Sequence, residues 1–180
     1  MKISNILKKI IAKDGPHEYC CAMVEIPELE NKVQKWQKAN IVNNMLAEDG
    51  LEIDTHVTLF WGLHDTYINQ LKEIFNDFGK NIEISLGKMS LFNSDDHDVL
   101  KVDVDSPDLN KLHKIIENKL PNTKSFKDYH PHLTIGYFKK GVVDKFIGDK
   151  TFDGIRITKD KFVIADKDGN QTNINLRPNS

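Results

Sequence analysis

The sequence predicts an α+β fold of two αβ lobes around a central cleft, on three observations. Apolar periodicity and turn signals give roughly the order β-α-β-α-β-β-α-β-β-β, with no low-complexity linker. A short pattern, His-x-Thr followed by an apolar strand-like run, occurs twice, at His56-Val57-Thr58 and at His132-Leu133-Thr134. A chain of 180 residues, 39% hydrophobic and 29% charged, can bury a real core as one compact body of two similar lobes.

Taken in order, His17 to Ile26 reads as a buried first strand stopped by Pro27. Glu28 to Ile41 carries Val33, Trp36 and Ile41 among charges and suits an amphipathic helix. Asp49-Gly50 marks a turn, and Thr55 to Leu63 is the strand of the first motif. Tyr67 to Phe78 is a second helix, with Ile68, Leu71, Ile74 and Phe75 on one face. Ile82 to Phe92 and Val99 to Val104 read as paired strands around the acidic loop 93–98. Asp108 to Leu120 is a third helix, ended by Pro121. A loop from Asn122 to Pro131 leads to the second motif strand, Val142 to Ile147 suits a short helical turn, and Phe152 to Leu176 holds two or three strands with Asp168-Gly169 as a hairpin turn.

A formal charge of -2 argues against broad nucleic-acid binding through the phosphate backbone, which needs a basic surface, and leaves a small nucleotide or an RNA end as the partner. Cys20 and Cys21 are adjacent on a strand, where side chains point to opposite faces; they form neither an ordinary disulfide nor a metal pattern, which fits a reducing, cytosolic setting. Met1 to Gly15 interleaves Ile3, Ile6, Leu7, Ile10 and Ile11 with lysines. It lacks the unbroken apolar region and cleavage site of a secretory signal. We read residues 1–15 as an amphipathic segment docking on its own protein, with a partner- or membrane-surface helix as the alternative. Residues 16–180 read as one bilobal domain, and no run is long enough to span a bilayer.

The motif carries the chemistry. With seven His and eight Thr in 180 residues, about 0.3 such triplets are expected by chance, and here there are two in the same strand context. Residues i and i+2 of a strand share a face, so His56 points with Thr58, and His132 with Thr134. Strict alternation sends Val57, Leu59 and Trp61, and Leu133, Ile135 and Tyr137, to the core. It puts Phe60 and Phe138 on the polar face as an apolar wall, with Gly136 leaving room for a ligand. Two imidazoles across a cleft suit acid–base cleavage of a phosphodiester: one takes the proton of the attacking water or ribose hydroxyl, the other protonates the departing oxygen. The threonines donate to the non-bridging oxygens. The scheme calls for no metal or cofactor, and the sequence does not say which His is the base.

Tyr129, before the second motif, is a candidate to stack on a base, and His130 is the rival imidazole to His132, though it lacks a Thr at i+2. His64 either lines the cleft or is solvated, and Asp54 shares a face with His56. The acidic loop Asp95, Asp96, His97 and Asp98 has no calcium or zinc spacing. Lys124, Lys127, Lys139 and Lys140 flank the second motif and either hold phosphate or balance nearby acids.

The stretches Thr55 to Asp65 and Tyr129 to Tyr137, with motifs 76 positions apart, resemble the 2H phosphoesterase superfamily, which includes 2′-5′ RNA ligase-like cyclic phosphodiesterases. They resemble members encoded by bacteriophages. The resemblance covers Glu18 to about Phe138 well and the tail loosely. It implies a bilobal fold with antiparallel sheets around a central cleft, metal-independent chemistry, and His56, Thr58, His132 and Thr134 as the site. Because some phage members cleave cyclic oligonucleotide messengers of antiviral signalling, it adds such a messenger to an RNA 2′,3′-cyclic phosphate or 2′-5′ linkage as candidate substrate. A nucleotide-sequestering module without turnover and an assembly role are the readings from other classes.

Overall fold

A computed structural model describes residues 19–123 and 128–176. The amphipathic segment 1–15 and the lysines Lys124 and Lys127 lie outside the described residues. Nine strands form one curled antiparallel sheet: β1 (Cys20–Glu25), β2 (Leu46–Leu51), β3 (His56–Leu63), β4 (Ile82–Asn93), β5 (Asp98–Asp105), β6 (His132–Phe138), β7 (Arg156–Lys159), β8 (Lys161–Ala165) and β9 (Gln171–Asn175). The order across the sheet is β7-β4-β5-β6-β3-β1-β8-β9, with β2 also pairing along β6. Among the described residues there are three α-helices, α1 (Glu30–Asn40), α2 (Ile68–Phe78) and α3 (Pro107–Lys119).

The helices form where the apolar spacing predicts them, and each brings its apolar stripe to one cluster. Val33 and Trp36 of α1, Leu71, Ile74 and Phe75 of α2, and Leu109, Leu112 and Ile116 of α3 pack with Phe60, Phe138 and Phe162. Phe75 of α2 stacks on Phe162 of β8 at 4.2 Å between ring centroids. Helix α3 is started by Ser106, whose hydroxyl accepts from the amide of Leu109 and donates to the carbonyl of Glu83, so one side chain caps the helix and ties it to β4.

The main departure from the sequence reading is β2. Leu46-Ala47-Glu48-Asp49-Gly50-Leu51 has neither alternation nor β-branched residues, and Asp49-Gly50 reads as a turn. It becomes a strand because β6 offers it an edge, with Leu46 opposite Phe138 and Leu51 opposite Gly136, and the register slips between them. The two adjacent thiols do point to opposite faces: Cys20 joins the main cluster, while Cys21 joins Met23, Val163 and Ala165 on the other side of the sheet.

The sheet has two halves, β7-β4-β5-β6 and β3-β1-β8-β9, and they meet at a narrow seam. Strands β3 and β6 share the registered pair Val57 and Leu133. Both residues belong to the motifs, so folding the halves together places the motifs side by side.

Candidate functional site

The antiparallel register at the seam fixes how the four motif residues sit. With Val57 opposite Leu133, His56 falls beside Thr134 and Thr58 beside His132, at the roughly 5 Å Cα separation of paired strands. Val57 and Leu133 are fully buried in the main cluster. Alternation therefore sends both imidazoles and both hydroxyls to the opposite, open face. The square has a local pseudo-twofold, each histidine lying across from the other motif's threonine.

The imidazoles are held alike. His56 Nδ1 lies 2.8 Å from the carbonyl oxygen of Asp54, and His132 Nδ1 lies 2.7 Å from that of His130. A carbonyl only accepts, so each Nδ1 carries the hydrogen and each Nε2 is left to the open face. Burial holds both imidazoles below the ordinary histidine range. Their remaining surroundings differ. The carbonyl and carboxylate of Asp54 and the carboxylate of Glu25, opposite His56 across β1–β3, oppose that shift at His56. At His132, the carbonyl of His130 and the carboxylate of Asp103 oppose it, while Lys101 and His56 add to it.

Lys101 and Asp103 are site neighbours that sequence reading missed. In β5 they stand opposite Thr134 and His132. The Lys101 side chain is buried, with Nζ 2.5 Å from Asp103 Oδ1 and 2.6 Å from Ser90 Oγ. Against a burial penalty, the hydrogen bonds from Lys101 and Ser90 keep the Asp103 carboxyl below its usual range and ionised. Phe92 of β4 meets His132 edge-on at 4.8 Å and lies 4.3 Å from Lys101 Nζ. Lys101 and Asp103 were visible only as an i, i+2 pair on a predicted strand; their relation to the motif needs the β5–β6 pairing.

Strict alternation fails just after each motif. In β3 the register to β1 passes from Thr58 opposite Met23 to Phe60 opposite Ala22, so Leu59 is an extra residue. In β6 the register to β5 passes from Thr134 opposite Lys101 to Gly136 opposite Leu100, so Ile135 is extra. Each bulge reverses the facing of the residues beyond it. Phe60 and Phe138, expected to wall the cleft, are therefore buried in the core at 1% and 0% exposure. Trp61 and Tyr137, expected in the core, take the face of the histidines: Trp61 packs on Cys21 and Met23, and Tyr137 stands opposite Val99. Gly136 does not make room for a ligand. A Cβ there would lie 3.1 Å from the carbonyl oxygen of Gly50, so the missing side chain lets β2 pack against β6.

Tyr129 also leaves its expected place. Its ring stacks on His113 at 4.1 Å, and its hydroxyl donates to the carbonyl of Thr58 at 2.9 Å, which ties the loop before β6 to the first motif. Gln37 of α1 makes a second cross-tie, its Nε2 donating to the carbonyls of Glu52 and Ile135, both at 2.8 Å. His130 contributes the carbonyl that orients His132, while its exposed side chain borders an open pocket of about 350 Å³ shared with Phe92, Lys101, Asp103, Val104 and Pro131. His64 bonds to the hydroxyl of Thr123 and stacks on Tyr19. Lys139 and Lys140 donate to the carbonyls of Asn44 and Ser94, and so pin loops. Among the described residues no group of His, Cys, Asp and Glu is arranged to hold a metal.

Glu52 is a buried carboxyl in the segment that leads into the first motif. Its carboxyl accepts from the amide of Ile53 at 3.2 Å, next to the Asp54 carbonyl that orients the ring. Burial pushes its pKa from 4.5 up to about 7. In the unfolded chain the group ionises near 4.5, whereas folded it keeps its proton until about 7, so stability is lost as pH rises between these values. Glu52→Gln, which retains the acceptor oxygen, is expected to stabilise the protein by on the order of 3 kcal/mol at about pH 8 and by little near pH 4. Thermal melts at the two pH values check this; equal shifts at both contradict the burial argument.

A two-lobed antiparallel sheet with paired His-x-Thr strands on its open face is the plan of the 2H phosphoesterases. The chain belongs to the 2′-5′ RNA ligase superfamily, whose family model matches residues 27–166. Among solved structures, the crystal structure of TT0787 of Thermus thermophilus is similar with a TM-score of 0.62 over 90% of this chain and 100% of that chain. At 13% identity it speaks for the fold alone. The search of curated proteins gives no match. No helix among the described residues is long and apolar enough to cross a membrane.

Proposed function

We propose that this protein is a phosphodiesterase of the 2H type, acting on a nucleotide or oligonucleotide phosphodiester through His56, Thr58, His132 and Thr134. The observation that carries this reading is the matched pair of imidazoles, each with Nδ1 committed to a backbone carbonyl and Nε2 presented beside the other motif's threonine. One neutral Nε2 accepts the proton of the attacking hydroxyl. The attacking oxygen bonds to phosphorus, and the bond from phosphorus to the departing oxygen breaks. The other Nε2, protonated, supplies the hydrogen that makes the departing oxygen an alcohol. Thr58 and Thr134 donate to the non-bridging oxygens as charge gathers there. The two imidazoles make both proton transfers in this scheme, and the two hydroxyls stabilise the developing charge.

The charges around the pair break its symmetry. Lys101 disfavours a proton on His132, while Asp54 and Glu25 favour one on His56. Asp103 opposes the lysine at His132 but is itself bonded to it. We therefore assign His132 as base and His56 as acid in the cleavage direction. Cyclic oligonucleotides and RNA 2′,3′-cyclic phosphates are the candidate substrates, the former by analogy with the phage members that the motif stretches resemble. A sequestering module is the competing reading, and it predicts an unchanged ligand after long incubation.

The test is turnover of a panel of cyclic mono- and dinucleotides and RNA ends, with products read by mass, with and without chelator. Product formation that chelator leaves unchanged is expected; intact ligand throughout counts against catalysis. The pH dependence adds a signature. The active form needs one imidazole neutral and the other charged, and burial holds both below 6.5. The bell of kcat/KM, which reports the free enzyme, is expected to peak below pH 6.5 and to fall as pH rises past it. A maximum well above pH 7 contradicts this placement of the protons.

A further inference from the structure

The two bulges do more than bury Phe60 and Phe138. Each delivers an aromatic side chain to the open face at the same distance from its motif: Trp61 five positions after His56, and Tyr137 five positions after His132. Since β3 and β6 are antiparallel, these equal steps run in opposite directions. Trp61 and Tyr137 therefore stand on opposite sides of the His–Thr square, each three residues beyond a threonine. That is roughly 10 Å along a strand, about the reach of one nucleoside from its phosphate.

Both rings are half-buried. Trp61 packs against the apolar floor of Cys21, Met23, Val163 and Ala165, which β1 and β8 present to this face. Tyr137 lies beside His97, with ring centroids 5.8 Å apart, and burial pushes the pKa of its hydroxyl up. A half-buried aromatic ring on the face that carries the histidines offers a platform to a planar partner, and a nucleobase stacks on such platforms with little regard to its identity.

We infer that the site is built for a phosphodiester joining two nucleosides, one base stacking on Trp61, the other on Tyr137, with the scissile phosphate on the His–Thr square between them. The inference rests on the phosphodiesterase reading above and narrows it. A mononucleoside 2′,3′-cyclic phosphate has one base and fills one platform. A terminal cyclic phosphate on RNA has all its bases on one side of the phosphorus and likewise leaves the other platform bare. An internucleotide linkage, open or within a cyclic dinucleotide, fills both. With a free hydroxyl beside the phosphate, the step balances without a co-reactant. The hydroxyl loses its proton to His132 and its oxygen bonds to phosphorus. The bond to the neighbouring nucleoside's oxygen breaks, and that oxygen takes the proton of His56.

The experiment compares 2′-5′- and 3′-5′-linked adenylyl-adenosine with adenosine 2′,3′-cyclic phosphate on the full chain, following both binding and turnover. Binding is read by tryptophan fluorescence; of the two tryptophans, Trp36 is buried against Phe146, so quenching on the open face reports Trp61. Trp61→Leu and Tyr137→Leu keep apolar bulk and remove the ring. Each variant is expected to raise KM or Kd for at least one dinucleotide roughly 5- to 150-fold, the scale of one lost base–aromatic stack. Only one of the two is expected to weaken the cyclic mononucleotide. Dinucleotide affinity unchanged in both variants, or no tighter than that of the cyclic mononucleotide, overturns the inference. Dinucleotide that binds through both rings yet stays intact instead defeats the phosphodiesterase reading and leaves the two-platform site standing.

Discussion

Alanine at His56 or at His132 is expected to slow turnover by about 10²–10⁴-fold, the usual worth of one positioned acid or base. The double variant should be hardly slower than the worse single one, because a base without its acid partner, or the reverse, leaves the same incomplete site. The fold should survive both changes. The rings are bonded to the protein through one hydrogen bond each, to the carbonyls of Asp54 and His130, and both sit on the open face rather than in the core. The two singles should part on an activated substrate. A nucleoside 3′-(4-nitrophenyl phosphate) has a leaving group that departs without protonation. His56→Ala should therefore recover most of its rate on that ester, and His132→Ala should not. Recovery in the His132 variant alone would exchange the two roles; full activity of both singles on every substrate would end the assignment.

Gly62→Ala should give the largest loss of stability of any methyl-sized change near the site, on the order of 4 kcal/mol or more. Gly62 has φ +98, a conformation that side chains rarely adopt, and a Cβ there would lie 2.1 Å from the carbonyl oxygen of Thr123. That oxygen belongs to backbone, so no rotamer change relieves the clash. The segment after α3 is fastened here by several bonds: the Thr123 amide donates to the Gly62 carbonyl at 2.9 Å, the His64 amide to the Pro121 carbonyl at 3.3 Å, and His64 Nε2 meets the Thr123 hydroxyl at 2.8 Å. Forcing the strands apart at Gly62 breaks this fastening and disturbs the end of the strand that carries His56, Thr58 and Trp61. Denaturant melts check the loss, and a midpoint within error of the parent would show that the close approach is not maintained. By the same reasoning Gly50→Ala, also at positive φ but with no atom within 4 Å of its Cβ, should cost far less.

The helices were legible because their apolar spacing is a local property. Val33 and Trp36, Leu71, Ile74 and Phe75, and Leu109, Leu112 and Ile116 all lie where a 3.6-residue period puts them, and all face the core. The same is not true of Leu46 to Leu51, which has no strand pattern of its own and is a strand because β6 runs beside it. Tyr129 reads from the sequence as a loop residue placed to stack on a base, and no local signal announces its bond to Thr58, 71 positions away.

By itself the sequence determined which four residues meet on one face. His56 with Thr58, and His132 with Thr134, share a direction because i and i+2 of a strand do so over any three unbroken residues, and the apolar neighbours Val57 and Leu133 say which face is the core. The surroundings of these four were decided by tertiary structure. The extra residues Leu59 and Ile135 are extra only relative to partner strands β1 and β5, so the exchange of Phe60 and Phe138 for Trp61 and Tyr137 is invisible in the chain read alone. Lys101 and Asp103 reach Thr134 and His132 through the β5–β6 register, and the single registered pair Val57 and Leu133 sets each histidine across from the other motif's threonine. Alternation is a property of one strand; register and bulges are properties of two.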